Sequence, residues 1–145
     1  MQPDHQPRLT VLVVEDEDAI RRLLDVAFRR HGLDVLLAAT GDEAVAIYRE
    51  HRDAIAAVLL DVRMPDLDGP ATLAALRAVD PGVRAGFMSG NTGKYTTDDL
   101  FRAGAGFVIA KPFDVAEVAD ALRRLAGAGR GRGTRVGPAR SQQQN

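Results

Sequence analysis

Residues 9–24 read LTVLVVEDEDAIRRLL, and three patterns follow one another without a gap. Leu9–Val14 (LTVLVV) is a short continuous apolar run, suited to a strand buried on both faces. Glu15, Asp16, Glu17 and Asp18 then place acids side by side. From Asp18 the period changes, because Ile20, Leu23, Leu24, Ala27 and Phe28 fall on one stripe at i, i+3, i+4, i+7 and i+8. Asp18 reads as the N-cap of that helix, Glu17 as solvated, and Gly32 as its C′ residue. A buried strand passing through acid into an amphipathic helix is the repeating unit of an α/β sheet.

The same rhythm continues along the chain. Asp34–Ala38 (DVLLA) is a second strand, and Thr40 with Glu43 forms a capping-box pair opening a helix through Ala44, Ile47 and Tyr48. Ala56–Leu60 is a third strand ending on Asp61. After the loop VRMPDLDG, Pro70 stands at a first helical position, and Leu73, Leu76 and Val79 lead to the breaker Pro81-Gly82. Arg84–Met88 is a fourth strand, and Thr96 or Thr97 caps a short helix containing Leu100 and Phe101. Gly106–Ala110 is a fifth strand, and Asp114 caps a last helix striped by Val115, Val118, Leu122 and Leu125. Strands alternating with helices through short loops predict an α/β fold with a doubly wound, five-stranded parallel sheet and helices on both faces. Periodicity leaves the strand order open.

The organisation is a polar lead (1–7), one domain (8–126) and a Gly/Arg-rich tail (127–145), GAGRGRGTRVGPARSQQQN, whose composition predicts disorder. With 145 residues, 46% hydrophobic and 27% charged, the chain suits one compact domain. Its formal charge of −1 hides an asymmetry: the tail holds Arg130, Arg132, Arg135 and Arg140 and no acid, so the domain itself is acidic. Cysteine is absent, which excludes disulfides, thiolate chemistry and cysteine zinc sites. Charge-free runs such as Ala54–Leu60 and Ala103–Ala110 fall far short of the roughly 20 apolar residues of a membrane span. The lead MQPDHQPRLT has no apolar core of a secretory signal, so the expected location is cytoplasmic.

Ligands of open α/β sheets bind beyond the carboxyl ends of the strands. There the chain offers Glu15, Asp16, Glu17 and Asp18 after the first strand, Asp61 after the third, Ser89 after the fourth and Lys111-Pro112 after the fifth. Each alone is ordinary turn, cap or surface chemistry; the arrangement together is not. Clustered carboxylates repel, and a hard divalent cation removes the conflict. Magnesium suits best, since it takes one or two carboxylates and keeps positions for water and phosphate oxygens. Carboxylates, magnesium, the Lys111 ammonium and the Ser89 hydroxyl describe phosphoryl transfer, for which Asp61 is itself a candidate nucleophile.

The segments VLVVEDE (Val11–Glu17), LLDVRMPDLDG (Leu59–Gly69), MSG (Met88–Gly90) and KPF (Lys111–Phe113), in this order and spacing, resemble the receiver domain of response regulators in two-component signalling, the family that includes the chemotaxis regulators. The resemblance runs from about Leu9 to Ala126 and implies the flavodoxin-like strand order 2-1-3-4-5. It implies that Asp61 is the phosphoacceptor, attacking a phosphohistidine on a histidine kinase or histidine phosphotransfer domain. Asp16, Asp61 and the backbone carbonyl of Arg63 would hold magnesium (manganese being a substitute), with Glu15 assisting through water. Ser89 would bond the phosphoryl group, Lys111 would pair with Asp61 and then with a phosphoryl oxygen, and the Lys111–Pro112 bond would be cis. Such a domain catalyses its own phosphorylation and dephosphorylation, and it would switch a surface for a downstream protein target, which the sequence does not name. A weak homodimer through helix 4, strand 5 and helix 5 is also implied.

Three positions depart from the commonest pattern of that family: Glu15 stands for an aspartate, Ser89 for a threonine, and Val108 occupies the switch position usually held by Tyr or Phe. The aromatic, Phe107, is one place earlier, on the opposite face of a strand. Arg63 and Asn91 lie where the family tunes phosphoryl lifetime. MSGNTGKYT imitates a phosphate loop but has Met88 and Tyr95 where Gly and Ser/Thr are needed. MPDLDG lacks calcium-loop spacing, and His5, His31 and His51 are isolated. The RGRG of the tail lacks the aromatics of a strong nucleic-acid segment. No DNA-binding motif follows within these residues, so output is expected through protein contact, phosphoryl relay or a domain outside this sequence. The alternatives are a non-phosphorylated interaction module of the same fold and the receiver segment of a hybrid histidine kinase.

Overall fold

A computed structural model describes residues 8–90 and 94–127. The elements run β1 (Thr10–Val14), α1 (Asp18–Arg30), β2 (Asp34–Ala38), α2 (Gly41–His51), β3 (Ile55–Asp61), α3 (Gly69–Val79), β4 (Ala85–Ser89), α4 (Thr97–Arg102), β5 (Val108–Ala110) and α5 (Val115–Gly127). All strand pairs are parallel, in the order β2-β1-β3-β4-β5. This is the flavodoxin-like order that the resemblance implied. The polar lead (1–7), Asn91 and the tail beyond Gly127 lie outside the described residues.

Side chains alternate across the sheet and build two cores. Leu12, Val14, Val58, Leu60 and Phe87 pack with Tyr48, Leu73, Leu76 and Leu100 on one face. Val11, Val13, Leu59, Met88 and Phe107 pack with Leu24, Phe28, Val118 and Leu122 on the other. Val108 and Phe107 fall on opposite sides, as strand alternation requires. A Cβ at Gly86 would clash with the Phe107 ring, so the aromatic lies directly on the β4 backbone.

Helix termini match expectation in part. Glu17, not Asp18, is the N-cap of α1, and it makes no side-chain cap bond. The Asp18 carboxylate is occupied instead by Arg21 at 2.7 Å and Arg22 at 3.0 Å. Within α1 the buried residues are Leu24 and Phe28, while Leu23 is 63% exposed. One residue from Leu24 is about 100° around the helix, which turns Leu23 off the buried face. Thr40 caps α2 by accepting from Glu43 N, but the Glu43 carboxylate accepts from Ala39 N and not from Thr40. Pro70 is the second residue of α3, behind Gly69, with Asp68 as the cap. Thr96, not Thr97, caps α4, in a full capping box with Asp99. Asp114 accepts from Ala116 N at the start of α5.

At the amino end of the sheet the buried Tyr48 hydroxyl donates to Asp80 Oδ2 at 2.8 Å. Burial and this bond raise the Tyr48 pKa well above the ordinary phenol range, so it stays a donor. The same bond, with Gly82 N–H, lowers that of Asp80. Tyr48→Phe is expected to cost about 1.5–3 kcal/mol near neutral pH, as for a hydrogen bond to a charged group. A depressed carboxylate contributes stability above its unfolded pKa, near 4, that is lost as pH falls through the folded value. The difference between parent and variant in urea unfolding therefore shrinks in acid.

Candidate functional site

Strand register brings the polar residues to one rim. Val14 of β1 lies opposite Leu60 of β3, so Glu15 emerges level with Asp61. Asp61 lies opposite Met88, one residue short of Ser89, and Ser89 lies opposite Ala110, one short of Lys111. Residues distant in sequence thus meet because parallel strands end together. Among the described residues the buried polar ones are Glu15, Asp61, Thr72 and Ser89, and all but Thr72 stand on this rim.

Glu15, Asp16 and Asp61 each offer a carboxylate oxygen within 4.8 Å of the others, Asp16 from an exposed position. Glu15 is held from both sides: Oε2 accepts from Glu17 N at 2.9 Å, and Oε1 accepts from Lys111 Nζ at 3.3 Å. Lys111 Nζ lies 3.6 Å from Asp61 Oδ2. The ammonium is therefore shared between two carboxylates, hydrogen-bonded to Glu15 and ion-paired with Asp61. Burial raises the pKa of Asp61 to about 7, and the neighbouring Glu15 adds to this, while Lys111 opposes it. One cation does not balance this cluster, and oxygen donors of this hardness fit magnesium. Ser89 Oγ is buried with no hydrogen-bond partner among the described residues. Buried hydroxyls are ordinarily satisfied, so it fits a group that supplies acceptor oxygens.

The backbone around the site is tightly fixed. Lys111 N donates to Ser89 O at 2.9 Å, and the Lys111–Pro112 peptide is cis. Gly69 N donates to Val62 O at 2.9 Å, bringing the start of α3 against Asp61. Arg63 is exposed two residues beyond Asp61, Val108 is half-buried on β5, and Asn91 lies outside the described residues.

The sequence profile of the response regulator receiver domain matches residues 11–123. The chain belongs to this family. It is 35% identical over 125 residues to the probable transcriptional regulatory protein TcrX of Mycobacterium tuberculosis, covering 84% of this chain but only 51% of that one. It is 32% identical over 114 residues to sporulation initiation phosphotransferase F of Bacillus subtilis, covering 79% of this chain and 90% of that one. The crystal structure of the receiver domain of a Pseudomonas aeruginosa sensor histidine kinase superimposes with a TM-score of 0.74 at 29% identity, covering 83% of this chain and 99% of that one. That structure holds a magnesium ion coordinated in its active-site cleft. The receiver is thus a domain type of two-component systems. Among the described residues no helix is long and apolar enough to cross a membrane.

Sequence reasoning missed two groups that shape this receiver site. Arg21 Nη1 donates to the carbonyls of Glu15 at 2.9 Å and Asp16 at 3.3 Å, fixing the turn that carries both acids. Its place on the α1 stripe's border gave no sign of this. Tyr95, noticed only as a misfit in a phosphate-loop pattern, donates to Asp68 Oδ2 at 2.7 Å.

Proposed function

We propose that this receiver is a phosphoacceptor: a carboxylate oxygen of Asp61 attacks the phosphorus of a phosphohistidine on a histidine kinase or phosphotransfer partner. The P–N bond breaks, its electron pair stays on the imidazole nitrogen, and that nitrogen takes a proton from water. The observation that carries this reading is the convergence of Asp61, Lys111 and an unpartnered buried Ser89 hydroxyl on one rim. Lys111 already stands beside Asp61 and can turn from Glu15 to the arriving oxygens, a charge-assisted contact. Ser89 donates to another phosphoryl oxygen. Glu15, Asp16 and Asp61, with the Arg63 carbonyl, would hold magnesium or manganese, which when bound supplies positive charge against the carboxylates and phosphoryl oxygens. The reading includes a cytoplasmic location, output to a protein target, and a weak homodimer through α4, β5 and α5.

The test is incubation of the full chain with acetyl phosphate, with and without magnesium, followed by intact mass and peptide mapping. One phosphoryl group is expected, dependent on magnesium and located on Asp61. No gain in mass, or a gain elsewhere, would favour a non-phosphorylated interaction module.

A further inference from the structure

The turn Glu15–Glu17 joins β1 to α1, and Arg21 of α1 folds back over it. Its Nη1 donates to Glu15 O at 2.9 Å and to Asp16 O at 3.3 Å, while Nη2 donates to Asp18 Oδ1 at 2.7 Å. The Arg21 side chain is only 18% exposed, whereas that of Arg22, which pairs with the other oxygen of Asp18, is 74% exposed. The two carbonyls belong to the peptide planes on either side of the Asp16 Cα, and each plane is rigid. Holding both against one planar guanidinium fixes φ and ψ of Asp16, and with them the direction in which its side chain leaves the backbone. Glu15 has other anchors: its carboxylate meets Glu17 N and Lys111, and its own N–H donates to Ala38 O at 3.1 Å. The Asp16 carboxylate is exposed, with no hydrogen-bond donor among the described residues.

We infer that Arg21 is a positioning residue for the metal site: through these two carbonyls it keeps the Asp16 carboxylate beside Glu15 and Asp61 before any cation arrives. This rests on the magnesium part of the reading above. Charge alone argues for the opposite effect, because a guanidinium next to a cation site repels the cation. An Arg21 acting only through its charge would therefore weaken magnesium binding, and its removal would tighten it. Asp18 blunts that repulsion by pairing with the guanidinium, which leaves the geometric effect dominant. Lysine does not replace it, since a flexible point charge lacks the rigid fork that serves two carbonyls and a carboxylate together.

The test is calorimetric titration of magnesium chloride into the full chain, with no phosphodonor, at a temperature where melting in chelator shows each variant folded. Arg21→Met keeps the apolar stem and removes both donors and charge. It should weaken magnesium binding about tenfold, the lower end for loss of a group that orients a metal ligand. Arg21→Lys keeps the charge and should also bind magnesium more weakly than the parent, by severalfold. Arg22→Met removes the same charge one residue on without touching either carbonyl, and should bind as tightly as the parent or slightly tighter. If Arg21→Met does not fold, the comparison of Arg21→Lys with the parent decides. Binding in Arg21→Met at least as tight as in the parent, full rescue by lysine, or an equal loss in Arg22→Met would overturn the positioning role and leave the phosphoacceptor reading standing. A parent chain that takes up a phosphoryl group but binds no magnesium would overturn the metal site, and Arg21's role with it.

Discussion

Asp61→Asn is expected to abolish phosphoryl uptake from acetyl phosphate and, in metal-free buffer near pH 8, to raise the melting temperature by roughly 5–10 °C. The two effects share one cause. Asp61 is almost fully buried beside Glu15 and within ion-pair distance of a lysine that it must share, so ionising it in the fold is unfavourable. Its pKa is raised to about 7 in the folded state, while an unfolded aspartate titrates near 4. Between those values the folded protein holds a proton that the unfolded chain has lost, so stability falls as pH rises through the window. The loss is complete above it. Asparagine has nothing to ionise, and the Lys111–Glu15 pair remains to satisfy the ammonium. Calorimetry in chelator should show parent and variant alike near pH 4 and diverging toward pH 8. Magnesium should restore the parent and leave the variant little changed. A variant that melts below the parent near pH 8, or one that still takes up a phosphoryl group, would contradict this account.

The strands were legible because burial on both faces leaves runs such as LTVLVV and AAVLL, with carboxylates beginning where the run stops. Strand order was not, since periodicity says which residues face a helix but nothing about which strand lies beside which; only the resemblance implied it. The same limit applies within the site. Glu15 and Lys111 are 96 residues apart, and the hydrogen bond between them depends on both strands ending at one level. Local signals failed where a tertiary partner competed. Asp18 has the chemistry of an N-cap, but arginines on the next turn of α1 claim its carboxylate. Phe107 illustrates the converse. Its displacement from the usual aromatic position was visible in the sequence, whereas its confinement over Gly86 needed the packed sheet.

Gly69→Ala is expected to cost about 3 kcal/mol or more of unfolding free energy, the upper part of the range for overpacking. A Cβ at this position would lie 2.5 Å from the carbonyl oxygen of Asp61 and 2.9 Å from Cα of Val62. Both obstacles are backbone, so no rotamer change relieves the contact. Either the first turn of α3 lifts off the sheet or the end of β3 moves, and the latter displaces the phosphoacceptor itself. The hydrogen bond from Gly69 N to Val62 O, at 2.9 Å, opposes the first response. Phosphoryl uptake should therefore fall with stability, even at temperatures where the variant remains folded. Gly82→Ala is the control, since a Cβ there meets nothing nearer than Asp80 Oδ1 at 3.5 Å. That is ordinary contact, and the change should stay within about 0.5 kcal/mol. Urea midpoints for the two variants, with uptake followed by intact mass, separate a steric wall at the site from a general intolerance of alanine for glycine. If Gly69→Ala unfolded at the same urea concentration as Gly82→Ala and took up phosphate as the parent does, the close approach of α3 to Asp61 would have no role in holding the acceptor in place.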